Sequence, residues 1–185
     1  MRPAALRLLL LCITGIAAAA PAAEIAVHAT RNGDALEVEA SAEFAVSPAR
    51  TWQVLTDYNR FAEFVPSLEV SRVVSRSGDS AVVEQKGAAR LLFLSYAMDV
   101  RLAITEYPPD RIVSQAVGGN FREMRSSYTL EPRQGRMLLH YSGRMVPDFY
   151  IPPLIGMYVL RRNVEDMFRA LVEEIERGQG KPENQ

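Results

Sequence analysis

The 185-residue sequence predicts an α+β fold: a curved antiparallel β-sheet wrapped around one long C-terminal α-helix, with two short helices after the first strands. Three observations predict it. Val164, Phe168, Leu171, Val172 and Ile175 recur at i, i+4, i+7, i+8 and i+11, one apolar stripe at the helical period. Between residues 25 and 145 apolar residues alternate with polar ones at period two, the signature of strands with one buried face. Short turn sequences divide that alternation into strands too close together for crossover helices, so the pairing should be antiparallel. A sheet with one apolar face and a helix with a matching stripe bury both by packing together.

The first residues are not expected to join this fold. Arg2 and Arg7 form a short positive region, residues 8–20 are apolar or small, and Ala20-Pro21-Ala22 fits a small-x-small cleavage pattern. Residues 1–23 therefore read as a signal peptide cut near Ala22 or Ala23, with an uncleaved anchoring helix as the alternative. The domain is expected over residues 24–177, and residues 178–185 read as a disordered tail. Export with such an alanine-rich signal points to a periplasmic or secreted protein.

Ile25, Val27 and Ala29 alternate before Asn32-Gly33, and the alternation resumes from Leu36 to Val46, which predicts a hairpin with a type I′ turn. Ser47 is a candidate N-cap with Pro48 at the first helical position, and Trp52 and Leu55 share that helix's inner face. Residues 56–66 predict a second short helix carrying Tyr58, Phe61, Phe64 and Val65, stopped by Pro66. Strands follow over 68–75, 81–86, 96–105, 111–117, 124–130 and 137–145. Turns fall at Ser77-Gly78-Asp79, Pro108-Pro109-Asp110, Gly118-Gly119-Asn120 and Gln134-Gly135. The last segment, 152–177, is the long helix, with i,i+4 ion pairs expected from Arg161 to Arg177 on its outer face. Its first part, residues 154–160, is apolar almost all round, yet far shorter than the roughly 20 residues that span a bilayer. Such a segment is buried on every side or closes over an apolar molecule. Gly156 is where a closing lid would be expected to yield, being a poor helix former by about 1 kcal/mol relative to Ala.

Composition narrows the chemistry. Cleavage after Ala23 would leave 162 residues, enough for one core. It would also remove two of 21 Lys+Arg against 22 Asp+Glu, a net charge of −3. A mildly acidic chain without a basic stripe is a poor nucleic-acid ligand. The single cysteine, Cys12, lies in the signal, so the mature chain would have no thiol for disulfides, metal or nucleophilic attack.

Two stretches then carry a resemblance: Ser47-Pro48-Ala49-Arg50-Thr51-Trp52-Gln53-Val54-Leu55-Thr56-Asp57-Tyr58, continued by Phe61-Ala62-Glu63-Phe64-Val65-Pro66, and later Gly119-Asn120-Phe121-Arg122-Glu123-Met124 with Pro147-Asp148-Phe149-Tyr150-Ile151-Pro152-Pro153-Leu154. They resemble the polyketide cyclase/dehydrase-like branch of the START-like (SRPBCC, helix-grip) superfamily, with the coenzyme Q-binding members a similar-looking relative. The resemblance runs over roughly residues 25–177. It implies a deep hydrophobic cavity for lipids, quinones, sterols or polyketides, used mostly for binding and sometimes for cyclisation or dehydration.

The residues offer little catalytic machinery. His28 lies on the first hairpin, and His140 is out of phase with Leu139 and Tyr141, so both read as surface residues. No nucleophile elbow, zinc-binding HExxH or phosphate-cradling glycine loop is present. Asp57, Glu63 and Asp148 sit near element ends, where capping explains them, and no carboxylate cluster suggests a metal. Neither a catalytic residue, a metal nor a cofactor is therefore assigned.

The ligand-cavity candidates are Trp52, Phe64, Tyr96, Met98, Arg122, Met124, Tyr128, Tyr141, Leu154, Met157 and Leu160. Tyrosines on an apolar face bring hydroxyls that need partners, and methionines adapt to irregular ligands, although all of these also suit an ordinary core. Arg122 falls in phase with Met124 and Tyr128, hence on the inward face, where it would need a partner: an internal acid, strand-end exposure, or a ligand carboxylate or phosphate at the cavity mouth. The leading expectation is an exported, monomeric, non-catalytic carrier of a hydrophobic small molecule, a lipid or isoprenoid quinone, with transient membrane contact. A cavity of roughly 300–1,000 Å³ would support it. The alternatives are a cyclase or dehydratase working through Tyr and Arg acid-base chemistry, and a partner-binding module using the helix surface.

Overall fold

The computed structural model describes residues 23–91 and 94–177, apart from the side chains of residues 90, 91, 94 and 153–155. The expectations for the signal segment and the tail lie outside the described residues.

Strand β1 (Glu24–Asn32) and strand β2 (Ala35–Phe44) form the first hairpin, followed by helix α1 (Pro48–Thr56). Ser47 caps α1 as expected, its Oγ accepting from the Arg50 N–H at 3.3 Å, with Pro48 in the first turn. The second helix is shorter than its apolar pattern suggested. A 3₁₀ turn (Tyr58–Arg60) leads into the single turn of α2 (Phe61–Phe64). Strands β3 (Leu68–Ser77), β4 (Ser80–Leu91), β5 (Leu94–Tyr107), β6 (Arg111–Gly119), β7 (Phe121–Arg133) and β8 (Arg136–Pro147) precede helix α3 (Pro153–Arg177). They form one eight-stranded antiparallel sheet ordered β1-β2-β8-β7-β6-β5-β4-β3. The pairing of β2 with β8 brings the two ends of the sequence together, and α3 then packs against β1, β2, β4 and α1.

One turn departs from the sequence expectation. Asn32 pairs with Ala35, so Gly33-Asp34 is the turn centre, and only Gly33 takes a positive φ, +61°. The two-residue turn with both centres positive is Gln134-Gly135, at 47° and 81°.

The core lies between the sheet's inner face and the second half of α3. Val38, Phe44, Met137 and Leu139 are buried from the sheet side, and Phe168, Leu171 and Ile175 from the helix side. Each contributes about 1.5–3 kcal/mol on removal from water. Three carboxylates, Glu84, Glu106 and Glu174, are buried, and the last two tie elements distant in sequence together. Glu174 on α3 accepts from Arg60 at 3.1 Å and Arg177 at 2.6 Å, while Arg50 of α1 donates to its backbone carbonyl at 3.0 Å. Glu106 accepts from the Tyr58 hydroxyl at 2.9 Å and pairs with Arg76 at 3.0 Å, joining the 3₁₀ turn to β3 and β5. The outer-face ladder of α3 is only partly as expected: Arg162–Asp166 and Arg169–Glu165 form at 3.3 and 3.0 Å, whereas Arg177 pairs with Glu174 instead of Glu173.

Candidate functional site

The inner face widens where β5, β6 and β7 leave the grip of α3, because the helix lies over β1, β2 and β4. A cavity of about 220 Å³ opens there. Its floor comes from strand residues of inward phase, including Leu102, Ile112, Met124 and Met145, and its roof from Val159, Leu160, Val164 and Met167 of α3. Leu55, Tyr58 and Phe61 close one end, and Phe121, Pro147, Phe149 and Ile151 another. The volume lies below the expected range, and four methionines, Met98, Met124, Met145 and Met167, are among the walls. No Asp, Glu, His, Lys or Arg is among the described lining residues.

Among the described residues, the polar side chains that line the cavity are all neutral. The Ser114 and Ser126 hydroxyls, on neighbouring strands β6 and β7, hydrogen-bond at 2.6 Å. Tyr128 pairs across β7–β8 with Tyr141, their rings 4.8 Å apart, and both rings meet Phe168 of α3, at 6.4 and 6.0 Å. Gly143, two residues after Tyr141 on the same face, leaves the space that the Tyr141 ring covers; a Cβ there would collide with it. Burial pushes the Tyr141 hydroxyl up to about 12, although Ser126 beside it acts the other way. Burial also raises Tyr128 well above the ordinary tyrosine value, with Tyr141 a second cause. Tyr58 is raised by burial and by the charge of Glu106, and its hydroxyl is engaged there.

A second, polar pocket of about 250 Å³ adjoins the first, sharing Leu36, Pro147, Phe149 and Ile151 with it. Here Arg31 donates to the Ile151 carbonyl at 3.0 Å, and Arg122 to the Pro147 carbonyl at 3.3 Å and to Asp34 at 2.8 Å. The hydrogen bond and charge of Arg122 hold the Asp34 carboxyl below the usual carboxylate range.

Of the residues singled out from the sequence, Tyr96, Met98, Met124, Tyr128, Tyr141 and Leu160 line the apolar cavity. Trp52 and Phe64 do not; they are half-buried against the core beside the cavity. Met157 is half-buried outside the lining, and the side chain of Leu154 is outside the description. The inward placement of Arg122 is corrected. A β-bulge between Phe121 and Glu123 shifts the phase by one residue, so Phe121 and Met124 both face the cavity while Arg122 turns out to Asp34. Gly156 is also reassigned. It is buried beneath Ile151, whose Cγ2 a Cβ would strike, so glycine there permits close packing instead of yielding. His140 meets Glu39 at 2.9 Å and His28 is exposed, both outside the cavity lining. Sequence reasoning missed Ser114, Ser126, Phe149 and Ile151. The two serines occupied inward phases in their strands, which was a usable signal; Phe149 and Ile151 lay in a stretch that carried the family resemblance, but no period marked them as inward.

A family model described as polyketide cyclase/dehydrase and lipid transport matches residues 44–172. No curated protein sequence matches the chain. Among solved structures, a STAR-related lipid transfer protein from Xanthomonas axonopodis superposes with a TM-score of 0.68 at 16% identity, covering 85% of this chain and 97% of that one. A START superfamily protein from Mycobacterium smegmatis gives 0.66 at 15% identity, covering 77% and 99%. The Zhui aromatase/cyclase from a Streptomyces species gives 0.64 at 16% identity, covering 79% and 97%. At such identities these structures establish the fold, the curved sheet and long C-terminal helix of the START-like helix-grip architecture. With the family model spanning most of the chain, the protein belongs to the polyketide cyclase/dehydrase and lipid transport family.

Proposed function

We propose that this protein is an exported, non-catalytic carrier that holds a hydrophobic small molecule, a lipid or isoprenoid quinone, between the sheet and α3. The observation that carries the reading is the cavity of about 220 Å³, walled by aliphatic, aromatic and methionine side chains without one charged group among its described lining. Apolar walls with a few neutral polar tips suit a greasy ligand and give acid-base chemistry little to work with. The cavity is smaller than the ~300–1,000 Å³ usual for small-molecule sites. A long-chain ligand therefore extends into the adjoining polar pocket or displaces the segment around Ile151. Tyr150 and Tyr158, 77% and 60% exposed near that segment, suit a transient meeting with a membrane interface.

A cyclase or dehydratase built on Tyr128 and Tyr141 is the competing reading. Burial moves both hydroxyls away from the range in which a phenolate base operates at neutral pH, which favours carriage. Native mass spectrometry of protein purified from its own host tests the proposal, and a co-purifying apolar molecule is the expected result. A ligand-free protein that also fails to bind an apolar fluorescent dye would overturn it. Export is checked separately by fractionation and N-terminal sequencing: a mature chain beginning near Glu24 outside the cytoplasm is expected, and a full-length cytoplasmic chain would refute it.

A further inference from the structure

The cavity's polar tips are not equivalent. Ser114 and Ser126 satisfy each other, Tyr141 lies beside Ser126, Tyr58 donates to Glu106, and the Asn163 amide donates to the Val159 carbonyl at 2.8 Å. Tyr128 packs its ring against both Tyr141 and Phe168, and its hydroxyl has no hydrogen-bond partner among the described residues. It is not sealed in packed atoms, since Arg50 Nε is the one buried, unpartnered side-chain polar atom among the described residues. Tyr128 lines the cavity, so the cavity is where its hydroxyl is reached. A buried donor without a partner is costly, and most buried polar groups in folded proteins are paired.

We propose that Tyr128 is the donor of a neutral hydrogen-bonding subsite, supported by Tyr141 and the Ser114–Ser126 pair, which takes the carbonyl oxygen of an otherwise apolar ligand. The inference rests on the carrier reading above and specifies the ligand class: ketone- or quinone-bearing hydrophobes instead of plain hydrocarbons or lipids inserted charged head first. A carbonyl fits because a phenol donates a hydrogen bond better than it accepts one, its oxygen lone pair being delocalised into the ring. Burial keeps the Tyr128 proton in place, so the donor persists across the physiological range. A carboxylate or phosphate does not fit, because none of the described lining residues carries a compensating positive charge. The nearest mouth cations, Arg31 and Arg122, already donate to the Ile151 and Pro147 carbonyls and to Asp34.

The test compares two probes of equal tail, decylbenzoquinone and decylbenzene, titrated into the wild-type protein, Tyr128→Phe and Tyr107→Phe. Tyr128→Phe is expected to weaken quinone binding about tenfold, the worth of one neutral hydrogen bond, while leaving decylbenzene unchanged or slightly tighter. Tyr107→Phe, at an exposed tyrosine outside the cavity lining, should keep the wild-type preference for the quinone. In infrared difference spectra the bound quinone's carbonyl band should lie lower in the wild type than in Tyr128→Phe, a readout that a general loss of packing does not reproduce. Equal binding of both probes by the wild type and Tyr128→Phe, with no band shift, would overturn the subsite while leaving the carrier intact. Binding of neither probe by the wild-type protein would overturn the carrier reading and the subsite together.

Discussion

The two halves of α3 are one continuous helix with opposite surroundings. Between residues 164 and 175 the inward positions Phe168, Leu171 and Ile175 are fully enclosed, and Glu174 is buried among three arginines. Between residues 156 and 160 the helix roofs a cavity: Leu160 is half-buried over open space and Tyr158 stands in solvent. Phe168, Leu171 and Ile175 set the first of these halves in solid core, although Val164, Met167 and Leu171 also border the cavity; the other half leaves inward apolar surface that a ligand can cover. A single helix therefore separates the tasks of holding the fold and closing the site, and the contrast can be attacked from either side.

The largest effect is expected at the grip. Phe168→Ala removes a ring that meets both Tyr128 and Tyr141, and should lower the free energy of unfolding by about 3–5 kcal/mol in denaturant titration. A loss below about 1 kcal/mol would mean that the grip is no better packed than the lid. High pH attacks the same cluster. Tyr141 holds its proton to about 12 when folded, against an ordinary value near 10, and Tyr128 is raised as well. Their contribution is complete below pH 10 and is lost as pH rises from 10 through 12, because the unfolded chain releases those protons first. For Tyr141 alone the loss reaches about 2–3 kcal/mol. Thermal unfolding should therefore fall steeply over that window, with phenolate absorbance from these tyrosines appearing only on unfolding. A phenolate signal that precedes unfolding would show the cluster open to solvent.

Glu174→Gln leaves Arg50 and Arg60 without the carboxylate and is expected to cost about 2 kcal/mol, the range of a hydrogen bond to a charged group. In the lid, Gly156→Ala forces a methyl group against Ile151 and should destabilise locally by about 1–2 kcal/mol. Hydrogen exchange would then quicken over residues 151–160 and stay unchanged over 164–175; equal quickening in both would abolish the distinction between the halves. Tyr158→Ser, on the exposed face, should move stability by less than about 0.5 kcal/mol. It should nevertheless reduce association with lipid vesicles, and undiminished association would remove Tyr158 from any membrane contact.

Much of this architecture was legible from local pattern. The alternating strands, the Ser47-Pro48 cap and the 164–175 stripe depend on periods of two and 3.6 residues that each segment carries by itself. Arg122 shows where that logic ends: one inserted residue at the β7 bulge reverses the phase, and nothing in the local alternation marks the insertion. Gly156 shows a second limit, since helix propensity describes a glycine's freedom and not the Ile151 side chain packed upon it.

The sequence by itself determined the order and type of the elements, the apolar stripe of the last helix, and most of the inward residues between β5 and β8, because these follow from neighbours along the chain. Only the tertiary structure decided which inward residues line a cavity and which fill the core. Trp52 and Tyr96 are both aromatic and half-buried, yet only Tyr96 faces the open space. It also decided that Glu174 closes on Arg50 and Arg60, and that Tyr58 spends its hydroxyl on Glu106 while the Tyr128 hydroxyl meets no partner among the described residues. Those pairings join residues 48 to 124 positions apart. Hydrogen bonds and voids are settled within an ångström, and only the curved sheet with α3 laid across it brings such distant groups that near.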